Sequence, residues 1–333
     1  MASLQGATIV GTGSAIPPKI ITNDDLTKQV DTNDEWIRTR TGILERRVVE
    51  QDVPVSELCV EAARKALKNA DTGPDEIDLI IVATITPDMV FPATACIVQE
   101  KLGALNAAAF DLSAACTGFI YALSVAKQFI ACGTYDTVLV IGAETLSKFV
   151  DWQDRSTCIL FGDGAGAAVL KAAPENRGIL SCYLGADGSG ADLLQIPAGG
   201  SKLPASIDTV LNRMHYLKMN GNEVFKFAVR IMAEASLKAL EKCHKTTKDI
   251  DYLIPHQANI RIIDAALKRL NLPPEKVHLN LQHYGNTSAA SVPIALDEAI
   301  RAGKIRNGDL VLLVAFGGGL TWGASVIEWF KEN

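Results

Sequence analysis

An α/β fold made of two similar halves, with helices layered between and around two sheets, is what this sequence predicts. Three observations predict it. Short β-branched and leucine-rich runs alternate with alanine-rich helical stretches; the order of these runs repeats once; and each copy leads to a glycine-rich turn and a short apolar strand. Apolar runs of this length, without strict alternation, are the signature of strands covered on both faces.

The elements follow in order. Ala62-Ala63-Arg64-Lys65-Ala66-Leu67 is an amphipathic helix, and after an acidic turn Asp78-Leu79-Ile80-Ile81-Val82-Ala83-Thr84 is a strand. Ala107-Ala108-Ala109-Phe110-Asp111-Leu112 is a second buried strand. Ser113-Ala114-Ala115-Cys116-Thr117-Gly118 turns it into the helix Phe119-Ile120-Tyr121-Ala122-Leu123, which ends at Gly133. Asp136-Thr137-Val138-Leu139-Val140-Ile141-Gly142-Ala143 is the next strand, and Ala168-Val169-Leu170 closes the copy. Ala172-Ala173-Pro174-Glu175-Asn176-Arg177-Gly178 breaks both periodicities, so the halves divide there, into 1–174 and 175–333. In the second copy the helix is Ala235-Ser236-Leu237-Lys238-Ala239-Leu240 and the first strand Asp251-Tyr252-Leu253-Ile254. Asp309-Leu310-Val311-Leu312-Leu313-Val314-Ala315 and Ser325-Val326-Ile327 complete it. The spacing pairs Cys116 with Asn286: each opens a helical stretch that ends on a glycine, Gly133 or Gly303, seventeen residues on. The two positions are therefore expected to be equivalent.

Composition narrows the function. The 333 residues are 48% hydrophobic and 21% charged, with a net charge of −6, which argues against nucleic acid as a partner. The first residues, Met1-Ala2-Ser3-Leu4-Gln5-Gly6, lack the charged-then-apolar pattern of a leader, and no apolar run approaches the ~20 residues that span a bilayer. Seven scattered cysteines without a CxxC pair read as reduced thiols of a cytoplasmic protein, and metal-ligand spacing is absent. Gly162-Asp163-Gly164-Ala165-Gly166 invites a phosphate-loop reading, but it lacks the following Lys-Ser/Thr and the dinucleotide spacing. Close packing near the centre explains it better, and no nucleotide cofactor is expected.

Three residues carry the chemistry. Cys116 lies among small residues at a strand-to-helix turn, where the positive end of the helix dipole favours thiolate and lowers the thiol pKa. A thiolate is the natural acceptor for an acyl group carried as a thioester. His256, in Ile254-Pro255-His256-Gln257-Ala258-Asn259, follows the first strand of the second copy; alone it would be a hydrogen-bonded core histidine. Asn286, in Tyr284-Gly285-Asn286-Thr287-Ser288-Ala289-Ala290-Ser291, would alone be a helix N-cap.

Ala115-Cys116-Thr117-Gly118, Pro255-His256-Gln257-Ala258-Asn259 and Gly285-Asn286-Thr287-Ser288-Ala289-Ala290-Ser291 together resemble the β-ketoacyl-[acyl-carrier-protein] synthase III family. So do Asp34-Glu35-Trp36-Ile37, Thr41-Gly42-Ile43, Phe161-Gly162-Asp163-Gly164-Ala165-Gly166-Ala167, Gly221-Asn222-Glu223-Val224-Phe225-Lys226 and Ala315-Phe316-Gly317-Gly318-Gly319-Leu320-Thr321-Trp322-Gly323. The likeness covers essentially the whole chain. It implies a thiolase-like fold, an αβαβα sandwich, and a homodimer. The implied reaction is a decarboxylating Claisen condensation of an acyl-CoA primer, acetyl-CoA by default, with malonyl-ACP. Both are substrates, so no cofactor and no metal is implied. The resemblance makes Cys116 the acyl acceptor, has His256 and Asn286 donate to the thioester oxygen, and forms an oxyanion hole from the amides of Cys116 and Gly318. It places Trp36, Arg40, Arg155 and Asn222 along the CoA tunnel, with adenine held between Trp36 and Arg155. It assigns contact with the acidic carrier protein to Gln257, Ala258, Asn259, Ile260 and Arg261, joined by Lys226 and Lys268. Ile260, Ile263, Leu267 and Leu270 would be the buried stripe of that helix. Phe91 would cross a dimer interface to border the partner's acyl pocket.

Other classes carry less. A papain-like Cys-His-Asn hydrolase agrees in residue types and order but lacks that family's local cysteine signature. A non-enzymatic acyl or CoA binder would not need Cys116, His256 and Asn286 together. Within condensing enzymes, relatives that build polyketide or quinolone starter units use the same triad.

Overall fold

The computed structural model describes residues 5–174 and 177–330. Residues 1–4, where a leader was sought, and Glu175, which opens the second half, lie outside the described residues. Nine strands build two sheets: β1 Gly6–Ala15, β2 Leu79–Ala83, β3 Ala108–Leu112, β4 Thr137–Thr145, β5 Asp163–Ala173, β6 Gly178–Ala186, β7 Tyr252–Pro255, β8 Leu310–Gly317 and β9 Thr321–Glu328. The first sheet runs β1-β5-β4-β2-β3 and the second β7-β8-β9-β6.

The two sheets share one topology. β2 lies parallel to β4, which is antiparallel to β5, which is antiparallel to β1. β7 is likewise parallel to β8, β8 antiparallel to β9, and β9 antiparallel to β6. Among the described residues the second sheet has no full counterpart of β3. A single parallel bridge from Leu253 to Val277 stands in its place.

Six helices make the layers: α1 Asp34–Thr41, α2 Val55–Asn69, α3 Gly118–Ala131, α4 Gly221–Lys242, α5 Ile260–Leu270 and α6 Ser291–Arg301. Successive strand residues face opposite sides. Leu79 and Ile81 of β2, Val138 and Val140 of β4, and Ile254, Val311 and Leu313 of the second sheet therefore meet α3 and α6 in one central cluster. Ile80, Val82, Leu139 and Ile141 turn the other way, onto α2. Leu253, Leu312 and Val314 turn onto α4 and α5. The order is helix, sheet, helices, sheet, helix, as the expected αβαβα sandwich requires. α3 buries Phe119, Ile120, Leu123, Ala126 and Ile130, as a helix between two sheets must.

One expectation is corrected. Ala115 and Ser288, both with φ +48°, begin short 3-10 turns that lead into α3 and α6. The counterpart of Cys116 is thus Ala289, and Asn286 stands three residues earlier in the loop. The equal seventeen-residue count arises because α3 has 14 residues and α6 has 11, nearly one turn fewer. The glycine run at 162–166 serves close packing: a Cβ on Gly166 would stand 2.7 Å from the Ile294 amide nitrogen at the start of α6.

Candidate active site

Cys116 sits where β3 hands the chain to α3. The left-handed backbone of Ala115 makes the reversal, and Thr117 Oγ1 fastens it, 2.6 Å from Ala114 O and 2.8 Å from Thr321 Oγ1. The loop after β8 comes in from the second half. A Cβ on Gly317 would lie 2.7 Å from the Cys116 amide, so only glycine lets this strand end approach the nucleophile's backbone. Gly318 follows, and Gly319 (φ +72°) turns the chain into β9.

The thiol departs from expectation. Cys116 is 6% exposed, and burial pushes its thiol up to about 12, with the Ser288 hydroxyl opposing and the Glu144 carboxylate adding to the rise. Desolvation disfavours the charged form more than the short 3-10 turn favours it. Burial thus favours the neutral thiol.

His256 continues from β7, its amide donating to Val314 O at 2.8 Å. It is 1% exposed, edge-on to Phe316 at 5.4 Å, and burial holds its imidazole down to about 3. The ring is neutral and carries one proton. Its Nδ1 lies 2.6 Å from Ser291 Oγ, which also accepts the Gln257 amide at 3.5 Å. The Ser291 hydroxyl can donate to Nδ1, the arrangement that keeps the ring proton on Nε2. Asn286 is pinned in the same way: Oδ1 accepts the Ser288 amide at 2.9 Å, which leaves Nδ2 as the free donor. Cys116, His256 and Asn286 line one cavity of about 90 Å³, with Phe225, Phe316 and Gly317. Cys116 also borders a second cavity of about 420 Å³, walled by Ile85, Leu146, Phe161, Leu194 and Leu217. One thiol thus stands between an apolar chamber and a pair of fixed donors.

The remaining candidates spread outward. Trp36 is half-buried in α1, with the Arg40 and Arg155 guanidinium carbons 4.8 and 4.9 Å from its ring centroid. Arg155 packs directly on Trp36 and is held there by donating to Asp31 O at 2.8 Å, so nothing can enter between the two side chains unless Arg155 moves. Asn222 is exposed in the first turn of α4. Gln257 corrects the sequence reading. It is 1% exposed, and its amide donates to Pro255 O and His278 O while accepting from the Asn280 and Leu281 amides, so it offers nothing to a carrier protein. Asn259 caps α5 by accepting the Arg261 amide and donates to Arg40 O. Ala258 and Ile260 are half-buried; Ile262 rather than Ile260 joins the buried stripe. Arg261, Lys268 and Lys226 are exposed, with Arg261 stacked over Phe225 at 5.1 Å and Lys226 paired to Glu223. Phe91 is 86% exposed in the single chain.

Sequence reasoning missed Ser291, which bonds His256, and Ser288, which lines the chamber beside Cys116 and donates to the buried Glu144. A carboxylate closing the apolar run Val138–Ala143 was the available signal for Glu144. The two serines lie in a small-residue run that gave none.

Known proteins match throughout. The model of 3-oxoacyl-[acyl-carrier-protein] synthase III matches residues 110–188, and that of its C-terminal part residues 240–329. A β-ketoacyl-[acyl-carrier-protein] synthase III of Desulfitobacterium hafniense is 61% identical over 98% of both chains. The 3-oxoacyl-[acyl-carrier-protein] synthase III of Aquifex aeolicus superposes with a TM-score of 0.90 at 50% identity, over 97% of this chain and 100% of that one. The priming β-ketosynthase of a polyketide biosynthetic pathway superposes at 0.91 with 37% identity, over 100% and 99%. With its thiolase-like fold, the chain belongs to the 3-oxoacyl-[acyl-carrier-protein] synthase III family, the condensing acyltransferases that initiate fatty-acid synthesis.

Proposed function

We propose that Cys116 takes the acyl group of a short acyl-CoA, acetyl-CoA by default, and that His256 and Asn286 then drive condensation with malonyl-ACP. The observation that carries this reading is the shared cavity of the three side chains, with His256 held by Ser291 through Nδ1 and Asn286 held through Oδ1, so that Nε2 and Nδ2 are the groups left for a substrate oxygen. In the first half-reaction Cys116 Sγ bonds the acyl carbon and CoA leaves; the amides of Cys116 and Gly318 hold the tetrahedral oxyanion. In the second, malonyl-ACP loses CO₂, and its thioester oxygen gathers negative charge. Two fixed donors in a dry cavity stabilise that charge without reorganising, and each such donor lowers the barrier by about 3–4 kcal/mol. The enolate carbon attacks the acyl-cysteine and expels Cys116. The apolar chamber beyond Cys116 houses the primer.

Trp36, Arg40, Arg155 and Asn222 lead CoA in, and Arg261, Lys226 and Lys268 with Ala258, Asn259 and Ile260 meet the carrier. Neither cofactor nor metal takes part. The halves divide at 174/175, and the working unit is a cytoplasmic homodimer with Phe91 against the partner's chamber; seven free cysteines suit a reducing compartment. Relatives that start polyketides are the second reading, favoured by the 37%-identical priming ketosynthase. One experiment separates the readings. Radiolabelled acetyl-CoA should leave one label on Cys116, and malonyl-ACP should discharge it as acetoacetyl-ACP. A hydrolase would turn over without accumulating label, a binder would show none, and a polyketide starter enzyme would prefer other primers in an acyl-CoA panel.

A further inference from the structure

Glu144, next to last in β4, is 0% exposed, and the two half-reactions make no use of it. Its Oε2 accepts from Thr86 Oγ1 at 2.7 Å and from Thr84 Oγ1 and the Ile85 amide at 3.2 Å. Thr86 Oγ1 in turn accepts the Thr145 amide at 2.9 Å, so the carboxylate is tied both to the chain just beyond β2 and to the end of its own strand. Its Oε1 reaches into the second half and accepts from Ser288 Oγ at 3.1 Å.

Ser288 is also what orients Asn286. The Asn286 backbone is fastened to the first half, its amide donating to Leu160 O at 2.8 Å and its carbonyl accepting the Gly162 amide at 3.0 Å. Those bonds fix the main chain but not the carboxamide, which turns about two side-chain torsions. The Ser288 amide supplies the remaining hold, donating to Asn286 Oδ1 at 2.9 Å. Its direction depends on a left-handed backbone at Ser288 (φ +48°), a conformation that is costly for a residue with a Cβ. Such a turn persists only where its surroundings hold it. Glu144 holds this one through the Ser288 hydroxyl.

We propose that Glu144, acting through Ser288, is a positioning residue for Asn286 in the condensation half-reaction. The inference rests on Asn286 as a donor to the thioester oxygen. A donor held in place before charge gathers on that oxygen spends nothing on reorganising, and with Oδ1 pinned the carboxamide keeps Nδ2 for this task. A carboxylate suits the post because it only accepts, and so satisfies the two threonine hydroxyls, the Ile85 amide and Ser288 together. Glutamine would turn an NH₂ group toward one of those donors. His256 has a separate support, the Ser291 hydroxyl, and acylation draws on the amides of Cys116 and Gly318. Loss of Glu144 should therefore fall on condensation.

The test reads the two half-reactions apart, as labelling of Cys116 by radiolabelled acetyl-CoA and as discharge of that label to malonyl-ACP. It uses the whole enzyme, Glu144→Gln, Asn286→Ala and the double variant. Glu144→Gln should take label within threefold of the unsubstituted rate and discharge it at least tenfold more slowly. On the Asn286→Ala background the same substitution should change discharge by less than twofold, because the group it positions is gone. Full discharge by Glu144→Gln would overturn the positioning role, as would equal losses in both half-reactions or a tenfold loss that recurs without Asn286. Should Glu144→Gln not fold, Ser288→Ala goes through the same background comparison, since it keeps the carboxylate and its other three donors. A slow Asn286→Ala beside an unimpaired Glu144→Gln overturns the positioning alone. Normal discharge by Asn286→Ala would sink the functional reading of that residue, and this inference with it.

Discussion

Burial acts on Cys116 and His256 in opposite senses, and both effects keep the resting pair neutral. The thiol is pushed up and the imidazole down, so no thiolate–imidazolium pair forms between them. A neutral His256 with its proton on Nε2 would be a donor, the role proposed for it in the second half-reaction. His256→Ala and Asn286→Ala should each still take one acetyl label from acetyl-CoA but condense with malonyl-ACP at least a hundredfold more slowly, a loss of about 3 kcal/mol or more in barrier. Quench-flow with separate readouts of CoA release and acetoacetyl-ACP checks this, and normal condensation by either variant would remove the proposed donors. The same burial predicts a stability change. The His256 pKa is lowered from 6.5 to about 3, so the unfolded chain binds a proton that the folded chain refuses. Stability from this residue is complete above 6.5 and is lost as pH falls from there toward 3. At pH 5 the loss is about 2 kcal/mol by that linkage. His256→Gln should therefore lose less stability than the unsubstituted protein between pH 7 and pH 5, measured by urea unfolding; parallel losses would show that the imidazole is not the group responsible.

Among the elements, strands were more legible than turns. Leu79–Ala83, Thr137–Thr145 and Leu310–Gly317 stand out as apolar runs because both faces of each strand meet helices. Cys116 and His256 could be picked out because reactive residue types lie just past strand ends, whereas Asn286 follows the short helix Leu281–Tyr284 and was legible only through its motif. The left-handed Ala115 and Ser288 could not, since neither is glycine and only the fold forces them there. Gln257 misled for a related reason: in sequence it adjoins exposed Arg261, but the chain is still leaving β7 at that point, and the amide turns inward to stitch His278, Asn280 and Leu281. α5 itself reads well, since Ile263, Ala266, Leu267 and Leu270 face the core and Arg261, Lys268 and Arg269 face out. An acidic partner meeting that face gains chiefly in encounter rate and register. Arg261→Glu should raise the Michaelis constant for malonyl-ACP about tenfold while acylation by acetyl-CoA stays within twofold, and equal effects on both substrates would place the carrier elsewhere.

At the scale of the whole molecule, duplication explains why the site lies at the centre. Two sheets of one topology, packed through α3 and α6, bring the strand ends that carry Cys116 and His256 to one place. The same architecture leaves one part of the first sheet unfinished. β3 is its edge, half-buried at Ala109–Leu112 and without a further strand among the described residues, and it runs directly into the Cys116 turn. An uncovered apolar edge invites pairing with another chain. Val90 and Phe91, 94% and 86% exposed, are apolar groups that a lone chain would leave in water. A two-fold partner covering both features would stiffen β3, and with it the backbone that aims Cys116. Replacing Val90 and Phe91 together by aspartate places two charges in that contact, where desolvating them has no compensation. The substituted chain should sediment as a monomer at micromolar concentration and form acyl-enzyme at least tenfold more slowly, with secondary structure unchanged by circular dichroism. A doubly substituted chain that remained dimeric and fully active would show that this surface is not where the copies meet.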